Sequence, residues 1–383
     1  MDYQHLRIAS PRFVVSAIAL LLTFLFLDAR AALPTYSTPE SGHMRAHFIN
    51  VGQGSSVLLE FSCAAALIDT GGEANDAFNS TTELQKYLEA FFARRSDLKK
   101  TFDLVLITHA HIDHARGLPM VLSSYAVKSY VDNGYETGSG GRQQKAAHVQ
   151  AKANSAMAWQ AITQPQVGKG GLAIKTAIPS NCGGGKIQFS AMWGGLQSSG
   201  GWTSTIFKDQ NNSSVVTQLK FGQTSFLFMG DLEQDVHDAM LGLSCETPVK
   251  SACPALQADV VHVAHHGSYN GTSPDVVTAL RPTTYVMSMG PPDRNGMWTA
   301  VAYGHPREVA VNMLLADTSL GSRTTTIPVK LATKAGTNKG PSENEFASDS
   351  MSKAIYATGW DGTVVISADI AHHLLSIDRA GLP

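Results

Sequence analysis

Residues 104–119 read LVLITHAHIDHARGLP. Between positions 109 and 114 this stretch places His109, His111, Asp113 and His114, in a chain with 14 histidines among 383 residues. The apolar run before them has the character of a short strand buried on both faces. In extended backbone, residues two apart point the same way, so His109 and His111 share a face. Asp113 and His114 follow where the strand should turn into a helix. In sheet-plus-helix folds, side chains at the carboxyl ends of strands are free to converge. Neutral imidazole and carboxylate are the donors that zinc and its neighbours accept.

Three further apolar runs end in groups of the same kind. AALI ends at Asp69-Thr70-Gly71-Gly72, TSFLFMG at Asp231, and ADVVHVA at His265-His266-Gly267-Ser268. Alone, either aspartate reads as a turn or cap residue. Four strand ends carrying ligand-type side chains in one chain point to a metal centre.

The remaining strand-like segments are RAHFINV, SVLLEF, SVVTQLKF, TTYVMSMG and GTVVIS. Leu84, Tyr87, Leu88, Phe91 and Phe92 recur at helical spacing behind a Ser80/Thr81/Thr82 start. Further helices are expected over roughly 143–162, after Asp231, from Ser273-Pro274 and from Pro306, since proline favours the first helical position. Strands arrive in two batches with helices between them, which predicts two sheets layered between helices. The Gly-, Ser- and Gln-rich region 134–210 reads as a long excursion, and 318–352 as a polar stretch of low information.

Composition narrows the functional classes. Charged residues make up 16% of the chain and the net charge is −2, so no global charge favours duplex DNA or an anionic membrane. Arg94, Arg95, Lys99 and Lys100 form the one basic cluster that stands out. At the start, Arg7 and Arg12 precede the apolar run Phe13–Leu27 and an Ala29-Arg30-Ala31 site. This is the plan of a secretory signal peptide over 1–31, and the run is short for a membrane span, which needs roughly 20 residues. Export to an oxidising compartment would let Cys63, Cys182, Cys245 and Cys253 form two disulfides. Of the three connectivities, Cys245–Cys253 with Cys63–Cys182 is favoured because the former closes a short loop.

NVGQGSSVLLE, LIDTGG, THAHIDHARGLP, NNSSVVTQL, MGD, VVHVAHHGS, YGHP and WDGTVVIS together resemble the metallo-β-lactamase superfamily. They resemble most closely the hydrolase domain of ComEC-type competence proteins and their stand-alone relatives. The resemblance implies an α/β four-layer αβ/βα sandwich with two mixed β-sheets. It also implies a single domain over 44–383 behind a 32–43 linker, with insertions near 134–210 and 318–352. His109 and His111 would hold one metal. Asp113 and His114 would hold a second, with His265 as third ligand (His266 being the alternative), and Asp231 would bridge the two. Asp69 would orient a ligand histidine. Zinc is the expected ion, in one or two copies, with manganese or iron as alternatives. Asn212 stands where the superfamily usually supplies another histidine. The subgroup's D-V-G-Q-G-D loop reads Asn50 to Ser55 here, without either acid.

The implied activity is secreted, metal-dependent phosphoester hydrolysis by a metal-activated hydroxide, as a phosphodiesterase or nuclease. Asp113, Asp231 and His305 are the expected catalytic residues. His305 is expected near a helix start as a phosphate contact or leaving-group acid. His266, Ser268 and Asn270 are expected behind the metal or against substrate. The alternatives are hydrolysis of a lactam, lactone or thioester, and a binding protein with a degenerate site.

Overall fold

The computed structural model describes residues 36–179, 182–184, 187–195, 206, 208–292, 299–333 and 345–379. The expected signal peptide lies outside them.

Leu104–Leu106 shows how the sequence selects the architecture. Leu104 and Leu106 join one apolar cluster and Val105 joins another, so the short strand is buried on both faces. Ala65–Ile68 alternates in the same way: Ala66 and Ile68 face the first cluster, Ala65 and Leu67 the second. These strands belong to an eight-stranded sheet in the order Ala158–Ala161, Ser129–Asp132, Leu104–Leu106, Ala65–Ile68, Val57–Phe61, His43–Phe48, Val364–Asp369, Leu374–Arg379. The pairings from Ala65–Ile68 out to Ala158–Ala161 are parallel and the rest antiparallel.

A seven-stranded sheet repeats the plan, in the order Leu172–Ala173, Ile187–Trp193, Val216–Phe221, Thr224–Phe228, Val260–His262, Thr284–Met287, Ile355–Ala357. Its first three pairings are antiparallel and its last three parallel. The two sheets meet through aromatic side chains, Phe48 against Phe228 and Phe61 against Phe189 and Phe221. The helices Ser80–Arg94, Leu118–Ser124 and Gly141–Ala153 cover the outer face of the first sheet. His237–Ser244, Pro274–Leu280 and Glu308–Leu315 contribute to the core against the second. The order is helix, sheet, sheet, helix, which is the four-layer αβ/βα sandwich that the resemblance implies. Each fully buried Leu or Phe in these layers contributes about 1.5–3 kcal/mol.

Several local expectations are corrected. The Ser80–Arg94 helix takes Asn79 as its N-cap, whose side chain accepts from the Thr82 N–H. The helix expected over 143–162 ends at Ala153, and Ala158–Ala161 forms the edge strand beside Ser129–Asp132. Tertiary contacts override helical spacing there: Trp159 stacks on His148 and donates to Asp132 Oδ1. The region 134–210 thus supplies strands to both sheets, and 318–352 holds a two-stranded ribbon, Ser322–Ala332 with Phe346–Lys353. The helix expected from Pro306 begins at Glu308, because the Arg307 N–H donates to Gly267 and the Pro306 carbonyl accepts from Ala332.

Cys63 pairs with Cys182 and Cys245 with Cys253, as favoured from their spacing. Half of the basic cluster is committed to structure: Arg94 and Arg95 both bind the buried Glu60 carboxylate, while Lys99 and Lys100 are exposed. Among the described residues, no helix is long and apolar enough to cross a membrane.

Candidate metal centre

The carboxyl ends of the parallel strands in both sheets converge on one cleft of about 800 Å³. From the first sheet come Asp69, after Ala65–Ile68, and the His109–His114 segment, after Leu104–Leu106. From the second come Asp231, after Thr224–Phe228, and His265-His266, after Val260–His262.

Asp113, His114, Asp231 and His266 each offer a donor atom, and these four atoms lie within 4.8 Å of one another. His114 Nε2 is 3.1 Å from Asp231 Oδ1, and His266 Nε2 is 3.3 Å from both Asp231 Oδ2 and Asp113 Oδ2. Each imidazole is fixed from behind. His114 Nδ1 lies 2.8 Å from Asp69 Oδ2, and His266 Nδ1 donates to the Ser288 carbonyl at 2.6 Å. With the Nδ1 protons held there, both Nε2 lone pairs face the cluster, which is how metal-binding histidines are usually oriented. Asp69 is fixed in turn, accepting from the Thr108 N–H at 2.8 Å and from its hydroxyl at 3.0 Å. Asp69→Ala is therefore expected to weaken metal binding about 10–100-fold, measured by competition with a chelating dye. Unchanged affinity would show that His114 needs no such orientation.

The loops that frame this cluster need glycine. A Cβ on Gly71 would sit 1.6 Å from the Asp113 carbonyl oxygen, and one on Gly54 would sit 2.4 Å from it. The Ser55 N–H donates to that same carbonyl at 3.0 Å. The V-G-Q-G and D-T-G-G loops thus clamp the backbone of Asp113.

His109 and His111 approach from the other side. His109 Nε2 is 3.1 Å from His111 Nδ1 and 3.9 Å from Asp231 Oδ2. All six of His109, His111, Asp113, His114, Asp231 and His266 are thereby brought together, with Asp231 in the middle.

The structure places His266, rather than the expected His265, in the cluster. The two sit on adjacent left-handed residues, and their partners separate them. His265 Nδ1 turns to Glu233 Oε1 at 3.2 Å and Asn270 Oδ1 at 3.1 Å, away from Asp231. The expected Asn212 slot also shifts by one. Asn212 is fully buried outside the cleft lining, and its carbonyl accepts from Trp193 Nε1. Asn211 lines the cleft, donates to Glu233 Oε1, and leaves its Oδ1 buried with no hydrogen-bond partner. Ser268 and His305 line the cleft as expected, and His305 Nδ1 meets Gln53 Nε2 at 2.9 Å. His305 sits in the turn between Thr299–Tyr303 and Glu308–Leu315, not on a helix start. Gln53, Asn211, Glu233, Tyr303 and Arg307 also line the cleft. The sequence reading missed all five as site residues; Gln53 carried a signal, lying inside the V-G-Q-G motif.

The electrostatics describe a site built for positive charge. Burial would lower the His266 pKa, but Asp231 and Asp113 raise it to about 10. His114 is likewise held well above the ordinary value, burial being outweighed by Asp231 and Asp69. Burial would raise Asp231, yet His114 and His266 hold it well below the usual carboxylate range. His109, by contrast, is pushed well below by burial and by His114 and His111. Burial, with His265 and His266 nearby, does the same to His305. Glu73, Asp113, Asp209, Asp231, Glu233 and Asp235 line the cleft against only two arginines, Arg116 and Arg307. A wall so rich in carboxylates repels anions unless a cation is held among them. A divalent metal would displace the protons from His114 and His266, and the resulting set of imidazoles and carboxylates fits such an ion.

The metallo-beta-lactamase superfamily model matches residues 49–174. ComE operon protein 3 of Bacillus subtilis (strain 168) is 26% identical over 278 residues, which cover 70% of this chain and 30% of that protein. The chain thus spans under a third of the length of this curated relative. Among solved structures, the metallo-beta-lactamase fold protein YhfI from Bacillus subtilis is similar at 11% identity, over 58% of this chain and 70% of that one, with a TM-score of 0.30. A diphosphatase from the PhnP family is similar at 13% identity, over 64% and 85%, with a TM-score of 0.33.

Proposed function

We propose that this chain, whose residues 49–174 match the metallo-β-lactamase superfamily model, is a divalent-metal-dependent phosphoester hydrolase of that superfamily, most simply a phosphodiesterase, acting in an oxidising compartment outside the cytoplasm. The observation that carries this reading is the Asp113–His114–Asp231–His266 cluster on the floor of an acid-rich cleft. Asp113, His114, Asp231 and His266 would hold one ion, and His109 and His111 would hold a second against Asp231. A bound divalent ion would supply Lewis-acid charge for the phosphoryl oxygens and acidify water towards neutral pH.

The chain's own residues do the rest. Asp69 and the Ser288 carbonyl orient the two Nε2 donors. Arg116 and Arg307 set positive charge on the cleft wall, where non-bridging phosphate oxygens would be received. Glu233 and Asn270 hold His265 away from Asp231, so that its ring edges the substrate space. Asn211 lines the same space and donates its amide N–H to Glu233 Oε1, which helps to fix the carboxylate that holds His265. No serine or cysteine nucleophile is required, and all four cysteines are in disulfides. Those disulfides support the location. The lactam, lactone and thioester alternatives share the ligands but favour a histidine where this cleft has Asn211.

The test is metal content per purified chain together with turnover of bis-p-nitrophenyl phosphate. Turnover lost to chelator and restored by metal supports the reading. Bound metal with no phosphodiester turnover, but with hydrolysis of a thioester or lactone, would move the chain to the alternative chemistry. No metal and no turnover would leave a binding protein.

A further inference from the structure

The V-G-Q-G loop has a second contact with the cleft, through Gln53, a residue that is 3% exposed. Gln53 Oε1 accepts from the Gly290 N–H at 3.2 Å, and Gln53 Nε2 lies 2.9 Å from His305 Nδ1. The backbone N–H can only donate, so the atom facing it must be the amide oxygen, and the atom facing His305 must be the NH2. An NH2 group can only donate. His305 Nδ1 must then be the acceptor, and the ring proton must sit on Nε2. An imidazolium would set two donors against each other at 2.9 Å.

The ring is fixed in space as well as in tautomer. It stacks between Tyr303 and His266, with centroids 5.9 Å from each and interplanar angles of 26° and 30°. It therefore stands beside the ligand cluster with Nε2 as the nitrogen left for the cleft. Gly290 packs closely on this loop: a Cβ there would lie 3.0 Å from the Gln53 backbone nitrogen and 3.3 Å from Ala300 Cβ.

We propose that Gln53 is a positioning residue that locks His305 as a neutral Nε2–H donor, and that this donor receives an anionic phosphoryl oxygen of the substrate. The second half rests on the phosphoester reading above. A neutral imidazole is a poor proton donor to a leaving group but a good hydrogen-bond donor to developing negative charge. Of the two roles expected from the sequence, phosphate contact and leaving-group acid, His305 is therefore assigned to the first. No proton is transferred, and the substrate it suits is anionic at the reacting centre.

The experiment uses the 15N-labelled full chain loaded with zinc. Ring 1H–15N correlations of His305, assigned by their loss in His305→Ala, are expected to show the Nε2–H tautomer. In Gln53→Glu the carboxylate accepts from Nδ1–H, so the proton should move to Nδ1. In Gln53→Met, which keeps the volume without either bond, the tautomers should mix. An Nδ1–H ring in the wild type, or the same tautomer in all three proteins, overturns the positioning role. For the donor role, His305→Ala should lower kcat on bis-p-nitrophenyl phosphate about 10²-fold with KM nearly unchanged, and Gln53→Glu should follow it. A fixed tautomer with unchanged kcat in His305→Ala overturns the donor role alone. A wild type that turns over no phosphoester removes the functional reading and the donor role with it, while the ring assignment is judged by its resonances.

Discussion

Asp231→Asn is expected to lower phosphodiester turnover roughly 10³-fold and to strip most bound metal from the chain. Asp231 is the one carboxylate that faces both halves of the site. Its Oδ1 is 3.1 Å from His114 Nε2, and its Oδ2 is 3.3 Å from His266 Nε2 and 3.9 Å from His109 Nε2. An amide fills the same volume but turns an NH2 towards one of those groups. A donor then stands where a lone pair was, and a full negative charge is gone from a buried place. The backbone need not move, because the Asp231 N–H is held by Ser214 Oγ at 3.0 Å, independently of the carboxylate. Glu89→Gln, on the exposed face of the Ser80–Arg94 helix, serves as the control that should keep both metal and turnover. Full turnover with full metal in Asp231→Asn would mean that the reaction does not use this cluster.

The parts of this site that were legible in the sequence share a property: their chemistry and their position are both local. A buried apolar triplet followed at once by His109, His111, Asp113 and His114 places ligands at a strand end whatever surrounds it. Asp69 and Asp231 are equally local, each being the residue that ends an apolar strand. What stayed ambiguous depended on residues far away in the chain. His265 and His266 are adjacent, both left-handed, and alike in composition. The Ser288 carbonyl draws one into the cluster while Glu233 and Asn270 draw the other out of it. Asn211 and Asn212 are divided in the same way, by Glu233 on one side and the indole of Trp193 on the other. His262, a third histidine in the same motif, is no ligand: it packs on Phe48 and meets Ser288 Oγ at 2.8 Å. Periodicity misjudged 143–162 for a related reason, since His148 and Asp132 recruit Trp159 to a sheet edge that local spacing does not report.

Glu60→Gln is expected to destabilise the fold by about 3 kcal/mol at neutral pH, and Glu60→Leu by about 5 kcal/mol. Glu60 is fully buried on Val57–Phe61, opposite Arg45 on the neighbouring strand. Its carboxylate takes Arg94 at 2.7 and 3.0 Å, Arg95 at 2.9 Å, Arg45 at 3.3 Å and His47 at 3.3 Å. Without it, Arg94 loses both charged contacts. Arg95, also fully buried, keeps Asp97 and the carbonyls of Phe61 and Ser62, which is why the glutamine variant should still fold. Burial alone would raise the Glu60 pKa, but the hydrogen bonds from His47 and Arg94 reverse this and hold it far below the ordinary value. A depressed folded pKa gives stability that is present above the unfolded pKa of about 4.3 and is lost as pH falls below it. The gap between wild type and Glu60→Gln in urea midpoint should therefore be widest from about pH 5 upward and should narrow steadily below about pH 4. A gap that stays constant down to the acid transition would show that the carboxylate acts through shape rather than charge.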